Sequence, residues 1–468
     1  MNPSGTGFRG IHQFVVAVLF SAAVLTGWSA SAQVQTVPGP EAPVVGAPGN
    51  YIVTFLPDTS QADRAVSVQR AGAVLRFNYS LVDAVAVNVP NVNAFAALQR
   101  DFTVLEIIPD RPVHAFQSAN GKGGEKGKPG GGGGGGSSQV IPEGVKRVGV
   151  PTGTSGAGLG VAIVDTGIDL AHADLAPGSP TFFAFGDSCQ DGNGHGTHVA
   201  GIVAALNNSA DVVGVAPAAT PYCVKVLDSS GNGSDSTVMA GLDWVGTHAS
   251  SVTPAIRVVN MSLGRPGTLD DNPALRASVQ ALYNAGIAVV VAAGNDSSKE
   301  VSQMVPATYP EVLAVASTTA LGGSNSCKFL SGIIEADTAS YFTTDGALIG
   351  GIGVTISAPG EDKEDVNRGC FAKSVGILSL KVGGGTTRMS GTSMASPHVA
   401  GIVARLMQRA INNPTSPRYP GYPGTSTGVV QIRSDVRSGA DLIGTAPLDW
   451  PGSSYSFDGE REGIAQAP

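Results

Sequence analysis

The stretch Gly160-Val161-Ala162-Ile163-Val164-Asp165-Thr166-Gly167 decides the fold. Its apolar run ends in a carboxylate and a Thr-Gly turn, the pattern of a strand buried on both faces. Working outward, helical spacing appears over residues 197–206, 238–248, 275–285 and 393–410. Between those helices lie short apolar runs at 224–227, 258–261, 288–292 and 312–316. Apolar strands alternating with helices imply an α/β fold: a doubly wound, mostly parallel sheet with helices on both faces. Such sheets carry their active residues at the carboxyl ends of the strands. Asp165 ends one strand, and Asn295 lies just beyond another.

The 468 residues carry a net charge of −8 and only 14% charged residues. That balance argues against nucleic acid as a general partner, because phosphate binding needs a basic field. The chain opens with Arg9, then an almost wholly apolar run over 14–26, then Ala30-Ser31-Ala32. This is the layout of a signal peptide over residues 1–32, cut near Gln33. The run is shorter than the roughly 20 residues a membrane span needs. A secreted, extracellular protein with no membrane contact after signal removal is expected. Export makes Cys189, Cys223, Cys327 and Cys370 candidates for disulfides, in any of three connectivities. Pairing neighbours closes loops of roughly 34 and 43 residues, for about 4 kcal/mol each as an upper figure.

Residues 33–49 read as a Pro- and Gly-rich leader. Residues 50–116 hold three strand patterns (51–55, 84–89, 104–108) and two helical ones (61–71, 92–100), a small α+β domain. Residues 117–138 include seven consecutive glycines at 130–136, a composition that behaves as flexible linker. The larger α/β body is expected over 139–445, with a last helix over 431–443, and a tail over 446–468.

Three segments carry chemistry. They are the Asp165 stretch above, Gly194-His195-Gly196-Thr197-His198-Val199-Ala200-Gly201, and Gly391-Thr392-Ser393-Met394-Ala395-Ser396-Pro397-His398-Val399-Ala400-Gly401. A serine hydroxyl is a weak nucleophile near neutral pH and needs an adjacent base. A histidine can take and return that proton, and a buried carboxylate can hold the imidazole in the right tautomer. The residue two after Ser393 is Ala395 and the order is Asp, His, Ser, so the Gly-x-Ser-x-Gly elbow of α/β-hydrolases is absent. His198, His398 and His172 read as packed structural histidines, and Asp169 as a turn anchor.

These segments resemble the three active-site signatures of the subtilase family, the subtilisin-like serine endopeptidases. Asn207-Asn208-Ser209, Gly214-Val215-Ala216-Pro217, Lys225-Val226-Leu227, Asn260-Met261-Ser262-Leu263-Gly264 and Ala292-Ala293-Gly294-Asn295 extend the likeness over roughly residues 139–411. The resemblance implies Ser393 as nucleophile, His195 as general base and acid, Asp165 as orienting carboxylate and Asn295 as oxyanion donor. It implies proteins or peptides as substrates, no organic cofactor, and a monomer. It places an extended substrate between Gly231-Asn232-Gly233 and Ser262-Leu263-Gly264. Ala292, Ala293, Gly294 and Met304 would wall the pocket for the residue before the cut. It further implies a structural calcium ion held by Gln139, Asp174, the carbonyls of Leu206, Ala210 and Val212, and the Asn208 side chain. Residues 50–116 resemble the family's propeptide, a folding assistant and intramolecular inhibitor, with Phe116 before the self-cleaved bond. The mature chain then starts at Gln117 or near Ser138.

Overall fold

A computed structural model describes residues 46–116, 139–152, 155–330, 332, 334–413, 424–451 and 458–468. The expected signal peptide, most of the leader, and the Gly-rich linker lie outside the described residues.

The first module runs β1 (Gly49–Phe55), α1 (Gln61–Ala71), β2 (Val74–Asn78), β3 (Ala84–Val89), α2 (Val92–Arg100), β4 (Val104–Pro109). Its strands form a sheet in the order β2-β3-β1-β4, with antiparallel neighbours. The period-2 rule fixes its two faces. Tyr51, Val53, Val85 and Val87 turn inward against Phe95 and Leu98 of α2, while Ile52, Ala84 and Ala86 turn toward the larger body. Sequence reasoning missed β2. Arg76 interrupts its apolar pattern, and it is an edge strand whose first three residues are exposed. A short strand β5 (Pro112–Ala115) leaves the module.

The body contains α3 (Glu143–Val148), β6 (Gly160–Asp165), β7 (Gly178–Phe183), α4 (His195–Ala204), β8 (Thr220–Lys225), β9 (Asn232–Ser234) and α5 (Asp235–His248). It continues through β10 (Ile256–Met261), β11 (Leu263–Pro266), α6 (Pro273–Asn284), β12 (Ala288–Ala292), β13 (Met304–Val305) and β14 (Leu313–Thr319). It ends with β15 (Ile356–Val366), β16 (Ala372–Leu380), β17 (Thr386–Met389), α7 (Thr392–Ile411) and α8 (Ser426–Ser438). A sheet of nine strands runs β17-β16-β15-β14-β12-β10-β6-β8-β7. The seven strands from β15 to β7 are parallel, and β16 and β17 are antiparallel. Alternation along β6 sends Val161 and Ile163 to the face covered by α4 and α7, and Ala162 and Val164 to the face covered by α5 and α6. The module sheet packs on that second face through Ile52, Tyr79 and Ile108.

The last helix runs from Ser426 to Ser438 rather than over 431–443: Thr425 caps its start, Gly439 follows its last turn, and Leu442 and Ile443 beyond it are exposed loop. Residues 458–468 are tied into the body. Ile464 and Ala465 are fully buried, and Ala465 N donates to Ser357 O at 2.9 Å. Ala467 N donates to Val148 O at 2.7 Å, and Arg405 donates to Pro468 O. Within this segment Glu462 is buried facing the buried Asp345, with Asp458, Glu460 and Arg461 acting on the pair. Burial first, then Asp345, pushes the Glu462 carboxyl up to about 8; burial and Asp458 push Asp345 to about 7. Disulfides join Cys189 to Cys223 and Cys327 to Cys370. No helix among the described residues is long and apolar enough to cross a membrane.

Candidate active site

Asp165, His195 and Ser393 converge at the carboxyl end of the parallel strands, all fully buried. Asp165 ends β6, and its Oδ1 accepts from Thr166 N at 2.7 Å. His195 opens α4 and places Nδ1 at 2.8 Å from Asp165 Oδ1. Its Nε2 is buried without a hydrogen-bond partner. Close approach requires glycine here: a Cβ on Gly196 would stand 2.1 Å from Gly167 O.

Ser393 lies in the first turn of α7, behind Gly391 at φ +150°. Its hydroxyl donates to Ser262 O at 2.9 Å, and no hydrogen bond joins it to His195 Nε2. Pro397 accounts for the local wiring. It has no N–H to donate to the carbonyl four residues earlier, which is that of Ser393. Ser262 Oγ supplies the missing donor at 2.9 Å. Asn260 Nδ2 in turn donates to Ser262 Oγ at 2.9 Å. Asn295 follows β12. Its Oδ1 accepts from Thr392 N and Oγ1 at 2.9 and 2.8 Å, which aims Nδ2, buried and unpartnered, into the site.

The groove holds a strand. β5 pairs antiparallel with β9 on one side (Val113 with Gly233, His114 with Asn232) and with β11 on the other (Ala115 with Leu263, His114 with Gly264). Ala115 N donates to Gly231 O at 3.0 Å, and Phe116 N to Ser262 O at 3.3 Å. The Phe116 ring lies on Gly264, where a Cβ would meet ring atoms at 2.6 and 2.8 Å. A Cβ on Gly391 would meet Phe116 O at 2.6 Å and Asn295 Nδ2 at 2.9 Å, so that carbonyl lies beside the Asn295 amide. Ala292 and Ala293 are buried, and Met304 is buried in β13 opposite Pro266. The Met304 methyl lies 2.8 Å from where a Gly294 Cβ would stand, beside Thr344.

Sequence reasoning missed Asp191. Its Oδ1 accepts from Asn193 N, Gly194 N and Thr166 Oγ1, and its Oδ2 from Thr197 N and Oγ1. The carboxylate thus anchors the first turn of α4 and fixes His195 beside Asp165. An acid four residues before a helix-opening histidine was the available signal. Asp110 was also missed. It accepts from Ser236 N and Oγ at 2.9 and 2.6 Å, so the module caps α5 of the body. Two buried histidines near the site, His198 and His398, are held neutral. Burial lowers His198 to about 3 and His398 to about 4. His198 Nε2 pairs with Ile377 O and His398 Nδ1 with Met394 O.

Around residues 206–212, Gln139 Nε2 donates to Leu206 O and Val212 O at 2.5 and 2.9 Å. Asn208 Oδ1 accepts from Ala210 N. Asp174 is fully buried; Oδ2 accepts from Val212 N at 3.3 Å, while Oδ1 has no partner. Burial pushes this carboxyl up to about 6. An orphaned buried carboxylate oxygen beside converging carbonyls is a donor set that suits a hard cation. No group of three or more His, Cys, Asp or Glu among the described residues is arranged to hold a metal, here or elsewhere, so the donors at this loop are one carboxylate, amides and carbonyls.

The family described as the Subtilase family matches residues 156–422. Subtilisin Savinase of Lederbergia lenta is 36% identical over 316 residues, 66% of this chain and 95% of that protein. Subtilisin E of Bacillus subtilis (strain 168) is 31% identical over 407 residues, 85% of this chain and 86% of its own. Among solved structures, fervidolysin from Fervidobacterium pennivorans, titled a keratinolytic enzyme related to subtilisin, superposes with a TM-score of 0.61 at 21% identity. That match covers 92% of this chain and 61% of fervidolysin, and is a likeness of fold.

Proposed function

The chain belongs to the subtilase family of serine proteases, and from that premise we propose that it is a secreted endopeptidase that cuts proteins with Ser393, His195 and Asp165 after processing its own precursor. The observation that carries this reading is the strand 112–116. It lies between β9 and β11 with the Phe116 carbonyl beside Asn295 Nδ2.

The chemistry follows from the atoms present. Ser393 Oγ turns from Ser262 O toward His195 Nε2, which is buried and open. His195 takes the hydroxyl proton as Oγ attacks the carbonyl carbon. Asp165 Oδ1 holds Nδ1–H and stabilises the imidazolium. The developing oxyanion accepts from Asn295 Nδ2 and from the Ser393 N–H, which stands in the first turn of α7 and has no helical partner. His195 then gives its proton to the leaving amine, an acyl-enzyme remains, and water repeats the steps in reverse. Main-chain pairing on both sides supplies affinity, and Gly231 to Gly233, Ser262 to Gly264, Ala292 to Gly294 and Met304 shape the cleft.

Residues 50–116 act in this reading as propeptide and inhibitor. Export follows from the apolar segment 14–26 and the small residues before Gln33. Calcium is part of the same proposal, with Gln139, Asp174, Leu206, Asn208, Ala210 and Val212 as its ligands. Bound there, the ion would neutralise Asp174 and tie the 139 segment to the 206–212 loop.

The test is intact mass and N-terminal sequencing of wild type beside Ser393→Ala. The expected result is a wild type that starts at Gln117 or near Ser138, and a variant that keeps residues 50–116 with activity down about 10⁶-fold. Identical mature ends in both proteins would refute self-processing, and undiminished activity in the variant would refute Ser393 as nucleophile.

A further inference from the structure

The groove strand is gripped one residue before β5. Asp235 N donates to Arg111 O at 2.9 Å, and the Arg111 guanidinium donates through Nη1 to Asp271 Oδ2 at 2.6 Å. Asp271 belongs to a built cluster. Arg265, 3% exposed, donates two hydrogen bonds to Asp271 at 2.9 Å and two to Asp235 at 2.9 and 2.7 Å. Asn272 Nδ2 donates to Asp235 as well, at 2.8 Å. The loop around the cluster is tight, since a Cβ on Gly267 would stand 2.3 Å from Asp271 Oδ2 and 2.4 Å from Arg265 Nη1.

Charge balance gives the site its preference. Two carboxylates share one guanidinium, which leaves one negative charge in a place largely closed to water. Arg111 cancels it. Arg265 donates to both oxygens of each carboxylate, and Asp271 Oδ2, the side nearer the groove strand, accepts from the Arg111 guanidinium in addition. Counting back from Phe116, Arg111 is the sixth residue on the amino side of the bond that follows Phe116.

We propose that Asp271, held by Arg265 and Asp235, forms a cation-selecting subsite that takes an arginine or lysine side chain six residues before the scissile bond of a substrate. The proposal rests on the reading of 112–116 as lying where substrate lies. A cleaved chain with a basic residue there would pair along β9 and β11 and place its positive end against Asp271. The alternative is that the Arg111 bond only latches the folded module.

Short peptides without the module separate the two. Internally quenched peptides patterned on Arg-Pro-Val-His-Ala-Phe, with Arg, Ala or Glu at the first position, are given to the processed enzyme. The expected kcat/KM is about tenfold higher for Arg than for Ala, carried by KM, with Glu below Ala. High salt should shrink the ratio, because the Arg111 side chain is 37% exposed. In Asp271→Asn the Arg-to-Ala ratio, measured within one preparation, should fall to about one. A ratio of one in wild type overturns the subsite, and an undiminished ratio in the variant overturns its assignment to Asp271. If none of the peptides is cut while the enzyme is folded, the proposed function fails and the subsite falls with it.

Discussion

Replacing Glu462 by Gln should flatten the loss of stability that this protein suffers as the solution turns alkaline. Glu462 is buried, accepts from the Ser357 hydroxyl, and faces Asp345 and Asp458. Its carboxyl is raised from an ordinary 4.5 to about 8. A group raised in this way is held protonated by folding. Its contribution is complete below about pH 4.5 and is lost as pH climbs through about 8. Integrating the proton difference from about pH 6 to about pH 9 gives about two pK units, or about 3 kcal/mol. Asp345, raised to about 7, adds a smaller loss of the same sign over that range. Gln keeps the volume and an acceptor for Ser357, cannot ionise, and offers an amide donor to Asp345. For a body of this size about 3 kcal/mol is about 4 °C in Tm. The assay is Tm against pH for Glu462→Gln and its parent, both on a Ser393→Ala background that prevents self-digestion. The two proteins should nearly coincide at about pH 6 and separate by about 4 °C at about pH 9, the variant higher. Parallel curves over that range would refute the argument and take the buried 462 carboxyl out of the alkaline response.

Two further outcomes follow from the site. Asp191→Ala leaves the backbone N–H groups of Gly194 and Thr197 without their acceptor, so Tm should fall by an amount equivalent to about 3 kcal/mol and kcat should drop with it; unchanged kcat would free His195 from dependence on Asp191. Chelator should lower the Tm of the Ser393→Ala protein and calcium should restore it, whereas Asp174→Asn should lose the response; a Tm indifferent to chelator would remove the cation from the 206–212 loop.

The parallel half of the sheet was legible because its strands are continuous apolar runs, as in Ala288–Ala292, and because glycines and an acid close β6. The Asp, His and Ser segments were legible by their length and order. The groove was less so. β9, β11 and β13 span two to four residues, too short for any period to declare itself. β15 was hidden by its chemistry. Glu361, Asp362 and Glu364 lie within it and are buried, a sequence that argues against a strand on propensity alone. Pairing on both sides overrides that preference. Burial raises all three carboxyls; Arg388 meets Asp362, and Tyr341 N and Trp450 Nε1 meet Glu364. Those partners come from remote parts of the chain, so no local window contains the reason.

The double pairing of β5 also sets a condition on what can be cut. A segment that lies between β9 and β11 must offer main-chain N–H and C=O groups on both of its edges at once. A residue in a helix or a central strand has already committed those groups, and must first give them up. The cleft therefore weighs foldedness as well as side chains. For a structured target, the free energy of local opening enters the rate, about tenfold for each 1.4 kcal/mol. Slack loops and denatured chains would be consumed first, and compact domains spared. The body's own parallel strands, flanked on both sides except for β7 at the sheet edge, would be poor prey for a second copy.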